Sequence, residues 1–397
     1  MIPFILLIIA CATALPVLVL TAEICAAAFL PDRISRGTST DLPADCQTVI
    51  LVPAHNEATG IQHVLQNIQA EMSNNMQLLV VADNCTDSTA KIARQTGAQV
   101  IERFNKDLRG KGYALDHGIR HLAAQPPDII IIIDADCEIG PGSLEQLTRT
   151  CLNRHRPVQA TYLMRSPPGA GIGLRVAEFA WLLKNSIRPL GLARFDLPCQ
   201  LTGTGMAFPW SLLVESRLAS GELVEDMQLG IDLAEAGTPP VFESRASVFS
   251  TFPDQKAAQE TQRTRWEHGH LGMISSRFPR LLLTGLRKMN IDTLSMALDL
   301  AVPPLALLTS VQLADLILNV TAVLAGWSSL PLIINVTAMA LLFASILISQ
   351  HKWGQHILPL SSLLYVPVYI LKRIPRHFRF LTHREKNWIR TNRERDQ

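Results

Sequence analysis

Acid pairs, cations and an indole recur along this chain at spacings that could act on a phosphate ester. Asp134 and Asp136 stand one residue apart, directly after a run of isoleucines. Two carboxylates so placed can hold a hard divalent cation, Mg²⁺ or Mn²⁺, which takes oxygen ligands and bridges to phosphate oxygens. Arg109-Gly110-Lys111-Gly112 puts two cations on a loop that glycine leaves free to approach phosphate, but it lacks the GxxxxGK[ST] spacing of an ATP-binding loop. Glu225-Asp226 opens an apolar-periodic stretch. Acids there can cap a helix, or one can take a proton from an incoming hydroxyl. Gln262-Arg263-Thr264-Arg265-Trp266 joins an amide, two guanidiniums and an indole. Arginine suits a departing diphosphate through forked, charge-assisted hydrogen bonds, and an indole face suits a sugar ring. The same segment would also serve as an interfacial helix with a Trp anchor. His268 and His270 have no third His or Cys close by, so metal binding by that pair is not expected.

The elements that must position these residues follow from periodicity. TVILVPA, QLLVVAD, AQVIE and DIIIII are buried-strand runs. Between them, residues 61–72, 88–95 and 113–122 carry apolar positions at helical spacing. This alternation predicts an α/β fold: a parallel sheet with helices on both faces. Ligands bind such sheets at the carboxyl ends of the strands. There lie His55-Asn56-Glu57, Asp83-Asn84 and Asp134-Ala135-Asp136. Turn formation would account for any one of these clusters; three on one sheet edge point to a ligand site.

The remainder of the chain reads as membrane. Of 397 residues, 48% are hydrophobic and only 18% charged, below the ~25% usual for soluble domains. That excludes a disordered chain, and a net charge of +2 gives no footprint for nucleic acid. The length allows roughly two to three domain-sized units. No charge occurs from Met1 to Ala22, a stretch long enough to span a bilayer, and Arg33 and Arg36 follow it. The positive-inside rule then places the N-terminus outside, with Glu23 at the membrane boundary. Two further spans are expected near 297–321 and 329–350. Residues 358–371 are short for a span and contain Pro367. The tail beyond is basic, with Lys372, Arg373, Arg376, Arg379, Arg384, Lys386 and Arg390, and belongs inside. Three spans satisfy this parity, and a fourth stays open. The expected partition is an anchor (1–30), a soluble α/β domain (41–275), an interfacial segment (276–293), two spans (294–350) and an interfacial or re-entrant piece with a basic tail (351–397). The 7 cysteines are odd in number and form no CxxC pair, which fits reduced thiols rather than a zinc or disulfide framework.

VPAHNE, VADNCTD, GKG, DAD, VED and QRTRW follow one another in an order that resembles family 2 glycosyltransferases with a GT-A fold. The membrane-embedded processive type is most similar: cellulose, hyaluronan, chitin and poly-N-acetylglucosamine synthases, with their pattern D, DxD, (T)ED, Q(Q/R)xRW. The likeness covers residues 47–275, and its most specific element is Gln262, Arg263, Arg265 and Trp266. It implies a Rossmann-like mixed sheet flanked by transmembrane helices. It implies an inverting, metal-dependent hexosyltransferase at the inner (plasma) membrane, its catalytic domain cytoplasmic. The donor would be a nucleotide-diphosphate sugar, a UDP-sugar by preference, and the acceptor a glycan or lipid-linked glycan. Membrane lipid and a separate export subunit would be partners, and cell-surface polysaccharide the product. Position by position, Glu57 and Asp83 would contact the nucleoside, Asp83 the base. Lys111 would lie near the base or diphosphate, and Asp134 would face the nucleotide sugar. Asp136 would bind Mg²⁺ or Mn²⁺. Asp226 would be the catalytic base, with Glu225 beside it in the substrate site. Gln262, Arg263, Arg265 and Trp266 would hold the diphosphate and frame the acceptor, and Gly203-Thr204-Gly205 would line the acceptor site. Three features depart from the pattern: Val224 replaces the Thr, Asn84 follows Asp83 in place of a second Asp, and the spans are few for a polymer channel. A non-processive transferase adding one sugar to a polyprenyl-linked acceptor is the alternative. A nucleotidyltransferase would leave QRTRW unexplained, and a decayed scaffold would not keep Asp136, Asp226 and Arg265.

Overall fold

The computed structural model describes residues 2–31, 43, 45–219, 224–253 and 255–365. The basic tail and the end of the 358–371 segment lie outside the described residues. The chain divides into two compact units. An α/β unit is built from 45–167 and 198–269, and a helical unit from 2–31, 168–197 and 270–365. The stretch 41–275, expected as one domain, is thus interrupted. Residues 168–197 hold helices Ile172–Leu182 and Arg188–Arg194, joined by a π-helix at Leu183–Ile187, and group with the helical unit.

The α/β unit is organised by one sheet of eight strands: β1 (Thr48–Ala54), β2 (Met76–Asp83), β3 (Gln99–Arg103), β4 (Ile129–Ile132), β5 (Glu138–Ile139), β6 (Val158–Arg165), β7 (Met206–Pro209) and β8 (Val241–Thr251). Their spatial order is β3-β2-β1-β4-β7-β6-β8-β5. The first four strands are parallel, as the alternation predicts. β7 runs antiparallel to both β4 and β6, and β5 antiparallel to β8. The parallel part read from the alternation is thus completed by antiparallel strands into the mixed sheet that the family resemblance implies. Strands β6 and β8 carry no clean alternation in sequence, because β6 is buried along nearly its whole length and β8 is irregular where Ala160 and Thr161 meet it.

Register keeps the carboxyl ends level. Ala54 pairs with Ala82 and Asp83 with Arg103, so the loops after β1, β2 and β3 open together. Helix Lys111–Leu122 covers one face: Ala114, Leu115, Ile119 and Leu122 join Leu51, Leu79, Val81 and Ile130 in a continuous core. Gly118 allows the close approach, since a β-carbon there would meet Leu51 at 2.7 Å. Ile50, Val52 and Val80 on the other face are buried too, which is why these strands read as unbroken apolar runs.

Among the described residues of the helical unit, three helices are long and apolar enough to cross a membrane: Ile2–Phe29, Leu305–Leu324 and Leu330–Gly354. The first span expected at 297–321 starts later. Helix Ile291–Leu300 ends before Pro303-Pro304, and the long helix follows them. Several polar groups inside this unit are paired with one another. Asp315 accepts from Thr13 at 2.9 Å, Asn319 at 2.9 Å and Asn335 at 3.1 Å. Glu23 is buried against Arg188.

Candidate active site

A cavity of about 1050 Å³ opens at the carboxyl ends of β1, β2 and β4. Its walls include His55, Asn56 and Glu57 after β1, Asp83 to Thr86 after β2, Phe104, Lys106 and Arg109 after β3, Lys111, and Asp134 to Asp136 after β4. Gln262 and Arg265, from helix Lys256–Lys288, complete it. All three polar clusters singled out in the sequence thus meet in one place, with two residues of QRTRW.

Backbone geometry explains several identities. Asn56 and Asn84 both take positive φ, 54° and 51°, the left-handed turn that asparagine tolerates. Asn84 also donates to Asp83 Oδ1 at 3.1 Å while its carbonyl accepts from the Asn105 amide at 2.7 Å. A second Asp there could not donate, so this departure from the family pattern has a local cause. The His55 ring nitrogen Nδ1 lies 2.6 Å from the Asp83 carbonyl and ties the β1 and β2 loops together.

Asp134, Asp136 and Cys137 bring ligand atoms within 4.8 Å of one another. Asp134 is positioned through its amide, which donates to the Thr204 hydroxyl at 3.1 Å, and it forms an ion pair with Lys111. Thr204 is fully buried, so of the glycine segment expected to line an acceptor site, Thr204 is a support for Asp134. Gly203, at φ 95°, accepts from Lys111 Nζ at 2.5 Å through its carbonyl. The Cys137 thiol is buried and pushed well up in pKa by that burial, and it sits 3.3 Å from Asp136 Oδ1 as a donor. Two carboxylates with a protonated thiol behind them make an oxygen-donor set, the kind Mg²⁺ and Mn²⁺ take.

Glu225 and Asp226 begin helix Glu225–Glu235, as the spacing predicts, with Met227, Ile231, Leu233 and Ala234 on its buried side. Asp226 is not part of the cavity wall. Its carboxylate lies beside Gly203 and Lys111: a β-carbon on Gly203 would stand 3.2 Å from Asp226 Oδ2 and 3.6 Å from Lys111 Nζ. Val224 gives the helix no side-chain cap and instead packs on Gly269, whose missing side chain leaves the room. Burial, then the neighbouring Asp226, pushes the Glu225 carboxyl up to about 7 against the pull of Lys111. Burial also raises Asp134, with Asp136 adding to the effect and Lys111 opposing it. Burial disfavours the charge on Lys111, yet Asp134, Glu225 and Asp226 together hold its pKa above the ordinary lysine value.

On helix Lys256–Lys288, Gln262 is buried and Arg265 Nε is buried with no hydrogen-bond partner. Arg263 and Trp266 lie outside the cavity wall and are half-buried. His270 bonds the Leu300 carbonyl at 3.1 Å, and burial drives its pKa down to about 3. The His268/His270 pair forms no metal cluster among the described residues. Sequence reasoning missed Arg103, which pairs with Asp83 at 2.6 Å, and Phe104, an exposed ring on the cavity. The β2–β3 register was the signal that could have found Arg103.

A family model described as "Glycosyltransferase like family 2" matches residues 44–269. An uncharacterized glycosyltransferase of Mycobacterium tuberculosis strain H37Rv is 31% identical over 200 residues, 46% of this chain and 84% of that protein. The 4,4'-diaponeurosporenoate glycosyltransferase of Staphylococcus haemolyticus is 24% identical over 248 residues, 59% of this chain and 64% of that protein. Among solved structures, a mannosyltransferase from Pyrobaculum calidifontis in complex with GDP-Man and Mn²⁺ superposes with a TM-score of 0.56 at 17% identity. That match covers 94% of this chain and all of the other.

Proposed function

The chain belongs to glycosyltransferase-like family 2, with a GT-A fold, and from that premise we propose that it moves a sugar from a nucleotide-diphosphate donor to a glycan or lipid-linked acceptor at a membrane, with inversion. The observation that carries this is Arg265: its buried, unpartnered Nε sits in the same cavity wall as Asp134 and Asp136. A diphosphate between them would meet a guanidinium on one side and a carboxylate-held cation on the other. Asp136 and Asp134 would hold the cation, Mn²⁺ or Mg²⁺; the similar mannosyltransferase was solved in complex with Mn²⁺. Such an ion neutralises charge on the departing diphosphate. Glu57 and Asp83 take the nucleoside, and Gln262 and Arg265 orient the phosphates. Asp226 is the base. It shares its helix end with Glu225, whose carboxyl is pushed up to about 7 by burial and by Asp226 beside it. Lys111 lies beside Asp226 and pairs with Asp134, so it links the base to the donor site. One base and an in-line attack at the anomeric carbon give inverted product.

Only three membrane-capable helices are present among the described residues, which favours addition of one sugar to a lipid-linked acceptor over extrusion of a polymer. The α/β unit would face the cytoplasm, where nucleotide sugars are made. The test is a screen of UDP- and GDP-sugars with the full chain in detergent and Mn²⁺, followed by sizing of products. Release of nucleoside diphosphate with an inverted single-sugar product is expected. Absence of turnover with every donor would overturn the proposal, and long polymers would overturn its single-addition part.

A further inference from the structure

Asp83 and Arg103 are direct partners in the parallel β2–β3 register, so their side chains share a face at the strand ends. Both are nearly buried, at 9% and 11% exposure, and Nη1 of Arg103 donates to Asp83 Oδ1 at 2.6 Å. Asn84 Nδ2 donates to the same oxygen. Arg103 Nη2 donates to the Leu108 carbonyl at 2.9 Å, and its guanidinium stands 5.5 Å from the Tyr113 ring centroid. The guanidinium thus has no freedom to follow a ligand. It fixes the carboxylate and the 104–109 loop in one arrangement. The next residue, Phe104, is 69% exposed and lines the cavity, with Lys106 and Arg109 farther along the same loop.

Resting on the nucleotide-sugar proposal above, we infer that Arg103 is a positioning residue that makes this cavity selective for bases with a ring imide N–H. Arginine is always a donor, so a carboxylate tied to it meets a ligand as an acceptor. Uracil and guanine present a ring N–H to such an acceptor. Cytosine and adenine present a lone pair at the corresponding edge, which leaves two acceptors facing each other. One unsatisfied buried pair of this kind costs enough for about a tenfold or greater affinity difference. Phe104 gives the base a flat face to stack on, whatever its identity. Selectivity and stacking therefore reside in adjacent residues, 103 and 104, and are separable by mutation.

The experiment measures UDP and CDP binding to the full chain in detergent with Mn²⁺, in wild type and in Arg103→Gln, Arg103→Lys and Phe104→Ala. Wild type is expected to prefer UDP by at least about tenfold. Arg103→Gln removes the bond that fixes the carboxylate and frees it to turn away from the base, so the ratio should fall to within about threefold. Arg103→Lys should restore part of the ratio. Phe104→Ala should weaken both ligands alike. A ratio unchanged in Arg103→Gln, with the variant folded by circular dichroism, would overturn the inference while leaving the nucleotide site intact. Binding of neither nucleotide to wild type would instead overturn the parent proposal. If Arg103→Gln does not fold, the wild-type ratio and the Arg103→Lys ratio decide: equal UDP and CDP affinity in wild type refutes the selectivity.

Discussion

Two arginines divide this molecule. In the helical unit, Arg188 is held by Glu23 at 2.6 Å and by Asp299 at 2.5 Å, and it also bonds the Asp299 carbonyl at 2.9 Å. In the α/β unit, Arg265 lines the cavity with its Nε buried and unmatched by any acceptor. The first is a charge consumed by folding: opposite charges and hydrogen bonds offset its desolvation. The second keeps its donors for an anion. Residue type is shared while Arg188 is buried and Arg265 half-buried, and the local supply of acceptors distinguishes a structural cation from a ligand-binding one.

Substitutions should separate the two classes. Asp226→Asn, which removes the proposed base without changing shape, is expected to cut kcat by about 10³- to 10⁴-fold with donor affinity nearly unchanged. Turnover assays beside calorimetric titration of UDP would check both halves, and near-normal turnover would remove Asp226 from the role. Arg188→Gln leaves two buried carboxylates without their cation and should cost about 3–5 kcal/mol of stability. Thermal unfolding in detergent would read this, and a Tm like wild type would erase the contrast. Arg265→Gln should do the reverse. Its Tm should stay close to wild type, while kcat/KM falls by about 10²- to 10³-fold through loss of charge stabilisation at the leaving group.

The smallest effect concerns pH. Glu225 titrates near 7 in the folded chain against an ordinary 4.5. The folded state therefore binds this proton more tightly than the unfolded state. The associated stability is whole below pH 4.5, declines as pH rises from 4.5 to 7, and is gone above that. Glu225→Gln removes the decline. Its Tm relative to wild type should rise across that window and level off beyond it, and a difference constant with pH would contradict the shift.

Much of the site was legible because strand ends announce themselves. β-Branched runs that stop at His55, Asp83 and Asp134 fix both the sheet and the edge where ligands bind, and helix spacing found the acid pair at 225–226. Other features need three-dimensional information. The Asp83–Arg103 pair depends on register between strands twenty residues apart in the chain. Thr204 looked like part of an acceptor loop, and only its bond to the Asp134 amide reveals a support. Residues 168–197 read as soluble because Arg175, Lys184, Arg188 and Arg194 break the apolar run, yet Arg188 is buried. Span limits shifted at Pro303-Pro304, where hydropathy runs on but the helix cannot. Asp226 lies near Lys111, a residue of the cavity wall whose role spacing alone does not disclose.

Cation-dependent nucleotide binding tests the central claim most directly: calorimetric titration of UDP-sugar into wild type and Asp136→Asn, each with and without Mn²⁺. Wild type should bind tightly only with the ion, and the variant should bind weakly and equally in both conditions. Equal affinity of wild type with and without Mn²⁺, or an undiminished Mn²⁺ effect in Asp136→Asn, would contradict a diphosphate held between a carboxylate-bound cation and Arg265.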